Sequence, residues 1–148
     1  MFKIREAIVS DIPQIQVVRN AVQENRLSNP ALVTDADCEM FLTARGKGWV
    51  AESGGIVVGF AIADLLQHNV WALFVTPAYA GKGIGKKLLH EMLHWYFAQT
   101  CLPLWLGTAP GTRAETFYLL NGWRPAGKHG TNEVKLEMDL AAYQQHIK

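Results

Sequence analysis

The chain has 148 residues, 49% of them hydrophobic, with Lys+Arg 14 against Asp+Glu 13 and a formal charge of +1. That length suits one domain that buries its own core, and five Trp, six Phe and four Tyr exclude a disordered chain. The balanced charge also argues against a general nucleic-acid binder, which needs an excess or a stripe of Lys and Arg.

Phe2 to Ala7 alternates apolar and charged residues, a short strand signal. Ser10-Asp11 offers an N-cap, and Pro13 is tolerable only that early in a helix. Ile12, Ile15, Val18 and Val22 follow at helical spacing, so a helix is expected to about Asn25, broken by Asn29-Pro30. Thr34-Asp35 caps a second helix through Met40, Phe41 and Ala44, ending at Gly46 to Gly48. A hairpin comes next: Trp49 to Glu52, a turn at Ser53-Gly54-Gly55, then Ile56 to Ala63.

Val70 to Val75 reads as a buried strand, and Ile84, Leu88, Leu89, Met92, Leu93, Tyr96 and Phe97 give the strongest helical stripe. Pro103 to Gly107 is another apolar strand. Thr112 to Leu120 forms a helix stopped by Asn121-Gly122, and Val134, Leu136, Met138 and Leu140 alternate with charged residues as a last strand. The order β-α-α-β-β-β-α-β-α-β gives an α+β, or mixed α/β, domain over residues 1–148. The segment from Val70 through Pro103 is expected to be a parallel crossover, right-handed by the general rule.

Cys38 and Cys101 form no CxxC, and no Cys/His spacing matches a zinc site, so buried or half-buried thiols in a reducing compartment are expected and no metal is. The start carries charges at Lys3, Arg5 and Glu6 instead of a signal core, and no apolar run approaches the ~20 residues that span a bilayer. A soluble cytoplasmic protein with no membrane partner is the expectation. His90 and His94 lack the Glu-x-x-His arrangement of a zinc helix and read as surface histidines, and the five tryptophans read as core, with Trp71 or Trp105 able to face a pocket.

The stretch Val75-Thr76-Pro77-Ala78-Tyr79-Ala80-Gly81-Lys82-Gly83-Ile84-Gly85-Lys86-Lys87 carries the chemistry. A buried strand enters a turn with three alternating glycines and then an amphipathic helix. Glycine lets the main chain turn tightly and approach a ligand, and the unpaired N–H groups of a first helical turn favour anions. Such a place binds a phosphate or pyrophosphate, with Lys82, Lys86 and Lys87 as counter-charges. It is neither a Walker A loop nor a dinucleotide fingerprint. Only three residues separate Gly81 from Gly85, Lys87 replaces the magnesium-binding hydroxyl, and Lys86 replaces the third glycine of the fingerprint.

Leu73-Phe74-Val75 with Tyr79-Ala80-Gly81-Lys82-Gly83-Ile84-Gly85 resembles the acyl-CoA signature of the GNAT superfamily of N-acetyltransferases. Ala114-Glu115-Thr116-Phe117-Tyr118-Leu119-Leu120-Asn121-Gly122-Trp123 resembles the family's second segment, A-x-x-F-Y-x-x-x-G-[Phe/Trp]. The resemblance covers nearly the whole chain. It implies a central, mostly antiparallel twisted sheet with one parallel splayed strand pair and helices on both faces. Two positions depart from the pattern: Ala80 stands at the Gln/Arg position, and Gly111 where many relatives have Asn.

The resemblance implies acetyl-CoA as co-substrate, held by Leu73, Phe74, Val75, Ala80, Gly81, Lys82, Gly83, Ile84, Gly85, Lys86, Ala114 and Phe117. Phe74 and Val75 would offer backbone groups to the pantetheine arm and thioester. Tyr118 holds the family's general-acid position. The acceptor would be a small-molecule amine or a peptide or protein amine, and family habit makes a homodimer possible. The base stays unassigned: Glu52, Asp64 and His68 lie at strand ends and read as solvated residues, and a water chain serves equally. The alternative is a non-catalytic acyl-CoA-binding or regulatory module on the same fold.

Overall fold

The computed structural model describes residues 1–22 and 33–146. Seven strands form one sheet in the order β1-β2-β3-β4-β5-β7-β6. They are β1 (Lys3–Glu6), β2 (Gly46–Ser53), β3 (Ile56–Asp64), β4 (Asn69–Val75), β5 (Leu104–Thr108), β6 (Arg124–His129) and β7 (Glu133–Met138). The helices are α1 (Ile12–Ala21), α2 (Asp35–Met40), α3 (Ile84–Gln99), α4 (Arg113–Leu120) and α5 (Leu140–His146). Every neighbouring pair of strands is antiparallel except β4–β5, which is parallel as the crossover from Val70 to Pro103 requires.

The sheet is apolar on both faces where it is covered. On one face Ala61, Ala63, Val70, Leu104, Leu106, Leu136 and Met138 pack against α3. That helix contributes Ile84, Leu88, Leu89, Met92, Leu93 and Tyr96, all buried, each stabilising by about 1.5–3 kcal/mol. On the other face Val57, Phe60, Ile62 and Ala72 pack against Ile12, Ile15 and Val18 of α1 and Cys38 of α2.

Two irregularities break the sheet at its middle. Ala63 faces Val70 and Ile62 faces Ala72 across β3–β4, so Trp71 is an extra, unpaired residue that bulges β4. Between β4 and β5 the register holds only the pair Asn69 and Trp105, closed by the Trp105 N–H donating to His68 O at 3.0 Å. Beyond that rung the two strands part, leaving a gap between Leu73–Val75 and Gly107–Thr108.

The sequence reading needs several corrections. Six strands and four helices become seven and five among the described residues. The strand β6 was not expected because it has no buried face: all six residues are exposed, with Pro125 and Gly127 inside it, as an edge strand tolerates. The last strand stops at Met138, and Asp139 caps α5 through Oδ1, which accepts from Ala142 N at 2.8 Å. The helix α1 is described to Ala21, with Val22 already extended, and Asn25 and Asn29-Pro30 lie outside the described residues. The expected second helix continues from α2 into one wide π turn over Phe41–Arg45, and β2 begins at Gly46 instead of Trp49. Cys38 is buried as expected, but Cys101 is exposed. Among the described residues no helix is long and apolar enough to cross a membrane.

Candidate active site

β4 ends in a short helical turn, Pro77–Tyr79, and two glycines then bend the chain into α3. Gly81 (φ +77°) and Gly83 (φ +84°) sit in the left-handed region that side chains disfavour, which explains why glycine stands at both. The first bond of α3 runs from Lys87 N to Gly83 O at 3.1 Å. The N–H groups of Ile84, Gly85 and Lys86 therefore have no partner within the helix, and the helix dipole adds positive potential there.

A cavity of about 680 Å³ opens over this turn. Leu73, Phe74, Val75, Ala80, Gly81, Gly83, Ile84, Gly85, Lys86, Ala114, Phe117 and Tyr118 all line it. Of the residues expected at a cofactor site, Lys82 alone is not in that lining, and it is exposed. Val22, Pro77, Tyr79, Arg113 and Asn121 complete the wall and were not among the residues expected to hold the coenzyme. Arg113 had a readable signal, since it follows the Thr112 cap as the first residue of α4. Lys86 and Arg113 bring positive charge, and no carboxylate lines the cavity among the described residues.

A second cavity, about 150 Å³, fills the gap between β4 and β5. It shares Leu73, Phe74, Ala114 and Tyr118 with the larger one, so the two meet at those four side chains. Its remaining wall includes Trp71, Gly107, Thr108 and Glu133.

The backbone at the gap has a fixed polarity. Thr76 N donates to Val58 O on β3 at 2.8 Å. Strand alternation then turns the N–H of Phe74 toward β3 and those of Leu73 and Val75 toward the gap. Of the two residues expected to offer backbone groups, Val75 turns its N–H to the gap and Phe74 turns its N–H to β3.

Tyr118 is 6% exposed and lies edge-on to Phe117 and Trp123, with ring centroids at 5.2 and 5.3 Å. Its hydroxyl has no hydrogen-bond partner among the described residues, although the side chain borders both cavities. Burial raises the phenol pKa well above its usual 10, so the group is neutral across the physiological range.

Behind the smaller cavity is an aromatic pile with cations at both ends. The Arg45 guanidinium lies 4.8 Å from the Phe41 ring, Phe41 stacks on Trp71 at 4.1 Å, and Arg19 lies 4.8 Å from Trp71. Arg45 pairs with Asp64 at 2.8 Å. Arg19 is buried, its Nε and Nη2 have no hydrogen-bond partner among the described residues, and burial lowers its pKa.

The three carboxylate and imidazole candidates for a base are engaged elsewhere. Glu52 pairs with Arg5 at 3.0 Å, Asp64 is 2% exposed on Arg45, and His68 Nδ1 meets Tyr96 Oη at 2.9 Å. None lines either cavity, and Asp64 is buried where a solvated residue was expected. Trp71 faces the smaller cavity, whereas Trp105 lies outside both linings. His94 is exposed as expected, but His90 is half-buried, with Nε2 unpartnered among the described residues and its pKa lowered by burial beside Lys86 and Lys87.

A family model described as the acetyltransferase (GNAT) family matches residues 15–123. The chain belongs to the GNAT family. A curated relative, the N-alpha-acetyltransferase RimI of Mycobacterium tuberculosis, is 43% identical over 49 residues, 29% of this chain and 31% of the relative. The match thus spans about a third of that protein's length. Among solved structures, the PaiA N-acetyltransferase of Thermoplasma acidophilum in complex with coenzyme A superposes with a TM-score of 0.82 at 17% identity, covering 94% of this chain and 99% of that one. The ribosomal-protein-alanine N-acetyltransferase of Brucella melitensis gives 0.74 at 25% identity, covering 93% and 99%. The ribosomal-protein-S18-alanine N-acetyltransferase of Escherichia coli gives 0.76 at 16%, covering 95% and 94%. The parallel splayed pair, the glycine turn and helices on both faces are thus those of a GNAT fold.

The two departures from the GNAT pattern have local structural settings. Ala80 is exposed on the rim of the large cavity and adds no polar side chain to its wall. Gly111 adopts φ +76°, and its N–H donates to Glu115 Oε1 at 2.8 Å, which ties the β5–α4 turn to the helix start.

Proposed function

We propose that the protein transfers an acetyl group from acetyl-CoA directly to a primary amine in a ternary complex, with Tyr118 as general acid and residues 1–148 acting as one catalytic domain. The observation that carries this reading is the unbonded Tyr118 hydroxyl at the junction of two cavities, one of which opens on a bare helix N-terminus. A coenzyme with a pyrophosphate and a long amide-bearing arm fits that larger cavity. The N–H groups of Ile84, Gly85 and Lys86 favour the diphosphate, the Lys86 cation supports it, and no described carboxylate opposes it.

Leu73 and Val75 have N–H groups aimed into the gap, suited to bonding the arm and the oxygen on which negative charge grows as an amine attacks the thioester. Holding donor and acceptor on two sides of one gap removes much of the entropic barrier. The departing thiolate needs a proton, and a phenol kept neutral by burial has one to give.

The acceptor is an amine of a small molecule, a peptide or a protein. The protein-directed names of the RimI and ribosomal-protein-alanine relatives support including N-terminal amines in that class. Two measurements test the reading together. Acetyl-CoA should raise the melting temperature where ATP and NAD do not. Free thiol should then appear with at least one member of an amine panel that includes an Ala-initiated peptide. Tight coenzyme binding without thiol release from any amine would replace this reading with a binding module.

A further inference from the structure

We infer that Glu133 is the acceptor-side base, receiving the proton that the amine sheds as the amide bond forms, in a subsite kept open by Gly107. The inference rests on the acetyl-transfer reading above and adds to it the residue, the face of the sheet and the charge of the acceptor.

Glu133 is the only carboxylate lining either cavity among the described residues. Its place follows from strand alternation. Leu136 and Met138 of β7 point into the α3 core, so Glu133 and Lys135 do not share their face. On β5 the same alternation puts Leu104 and Leu106 in that core and turns Trp105 and Gly107 the other way. Glu133 and Gly107 thus lie on the sheet face opposite α3. The larger cavity, with the α3 start and α4, is chiefly on the α3 side. An amine held at Glu133 and a thioester held at the glycine turn would meet through the gap, with Phe74 and Tyr118 at the meeting point.

Gly107 makes the arrangement possible. A Cβ there would lie 2.6 Å from Glu133 Oε1 and 2.6 Å from His129 Cδ2, closer than van der Waals contact allows. Any side chain at 107 displaces both groups. The charged and titratable groups facing Glu133 are His129 on β6, with Nε2 3.9 Å from Oε1, Lys135 on its own strand, with Nζ 5.2 Å from the Trp105 ring, and the neutral Tyr118 across the gap. The His129 ring packs on Trp105 at 4.9 Å and is half exposed, which gives the proton a route from Glu133 to solvent.

The step balances without a further reactant. The amine nitrogen forms a bond to the acyl carbon, the carbon–sulfur bond breaks, the N–H proton passes to the Glu133 carboxylate and the Tyr118 proton passes to sulfur. Solvent then returns the Glu133 proton to Tyr118. The amine becomes strongly acidic only as its lone pair is shared with carbon, so a carboxylate suffices to take the proton at that moment. The subsite selects a compact primary amine that approaches as a cation and releases one proton to solvent before its lone pair attacks. An acceptor with an anionic group beside its amine is repelled.

The test uses the whole chain with n-propylamine and putrescine as probes, read as thiol release from acetyl-CoA between pH 5 and 10. Glu133→Gln is expected to lower kcat/KM for the amine about 100-fold and to leave coenzyme A affinity within about twofold. Gly107→Ala should lower kcat, and the double variant should be no slower than Glu133→Gln alone, because both act on one carboxylate. An unchanged kcat/KM in Glu133→Gln, or additive losses in the double variant, overturns the inference. If the protein binds coenzyme A but turns over neither probe, the Glu133 side-chain ¹³C resonance decides. n-Propylammonium must shift it in the coenzyme-loaded protein, and a static resonance removes Glu133 from the site. A protein that fails to bind coenzyme A refutes the acetyl-transfer reading itself, separately from the role of Glu133.

Discussion

Replacing Tyr118 by Phe removes one oxygen and leaves the ring packing intact. The ring keeps its edge-on contacts with Phe117 and Trp123, and the lost hydroxyl had no hydrogen-bond partner among the described residues. No bond worth the usual ~1 kcal/mol disappears, so stability should change by no more than about 0.5 kcal/mol, or about 2 °C in Tm for a domain of this size. Coenzyme affinity, which rests on the α3 start and the strand backbone, should hold within about twofold.

Turnover is different. A positioned proton donor contributes about 10²–10⁴-fold, so kcat should fall at least 100-fold in a thiol-release assay, with KM for acetyl-CoA nearly constant. The phenol pKa is raised in the folded protein, so this group favours folding below the unfolded value near 10 and opposes it as pH climbs toward the folded value. Tyr118→Phe should therefore resist alkaline unfolding better than the parent above about pH 10. Unaltered turnover would take Tyr118 out of the mechanism. A Tm loss beyond about 4 °C would refute the claim that the hydroxyl is structurally idle.

Asp11 accepts from Arg5 Nη1 and Nη2 at 2.9 and 2.7 Å and from Ile8 N at 2.8 Å, and Arg5 holds its pKa below the usual carboxylate value. Asp11→Asn should cost about 1–3 kcal/mol at neutral pH in urea unfolding. A lowered pKa favours folding above the unfolded value, so the difference should shrink as pH falls below about 4. Arg19→Met removes a buried cation with two nitrogens unpartnered among the described residues while retaining bulk against Phe60, Trp71 and Phe74. It should raise the urea midpoint by an amount equivalent to about 1–3 kcal/mol, the relief of desolvation exceeding the lost cation–π contacts. Lys86→Glu should raise the acetyl-CoA dissociation constant about tenfold at low salt and less at about 0.5 M salt in calorimetry, since screening weakens both the attraction and its reversal.

The large cavity was readable from sequence because its parts are contiguous. One strand, one turn and one helix start supply Leu73 through Lys86, and positive-φ glycines are visible as residue types. The second segment added Ala114, Phe117 and Tyr118 for the same reason. The smaller cavity was not readable. Glu133 and Gly107 meet only because β7 inserts between β5 and β6, a long-range register that no local pattern states. Its partner strand β6 has six exposed residues and hence no periodicity to find. In Glu52 and Asp64 residue type suggested chemistry, but Arg5 on the neighbouring strand and Arg45 in the π turn claim the two side chains.

The single rung between β4 and β5 also divides the chain in a way that its one sheet conceals. Every strand on one side of the gap comes from residues 3–75 and every strand on the other from residues 104–138. The seam between the strands is therefore also a seam in sequence, bridged chiefly by the packing of α3 beneath both halves. A molecule that occupies the gap acts as a staple between two contiguous modules. Its binding energy should appear as slowed amide exchange along both lips of the seam, and fragments cut within residues 76–83 should reassemble better in its presence.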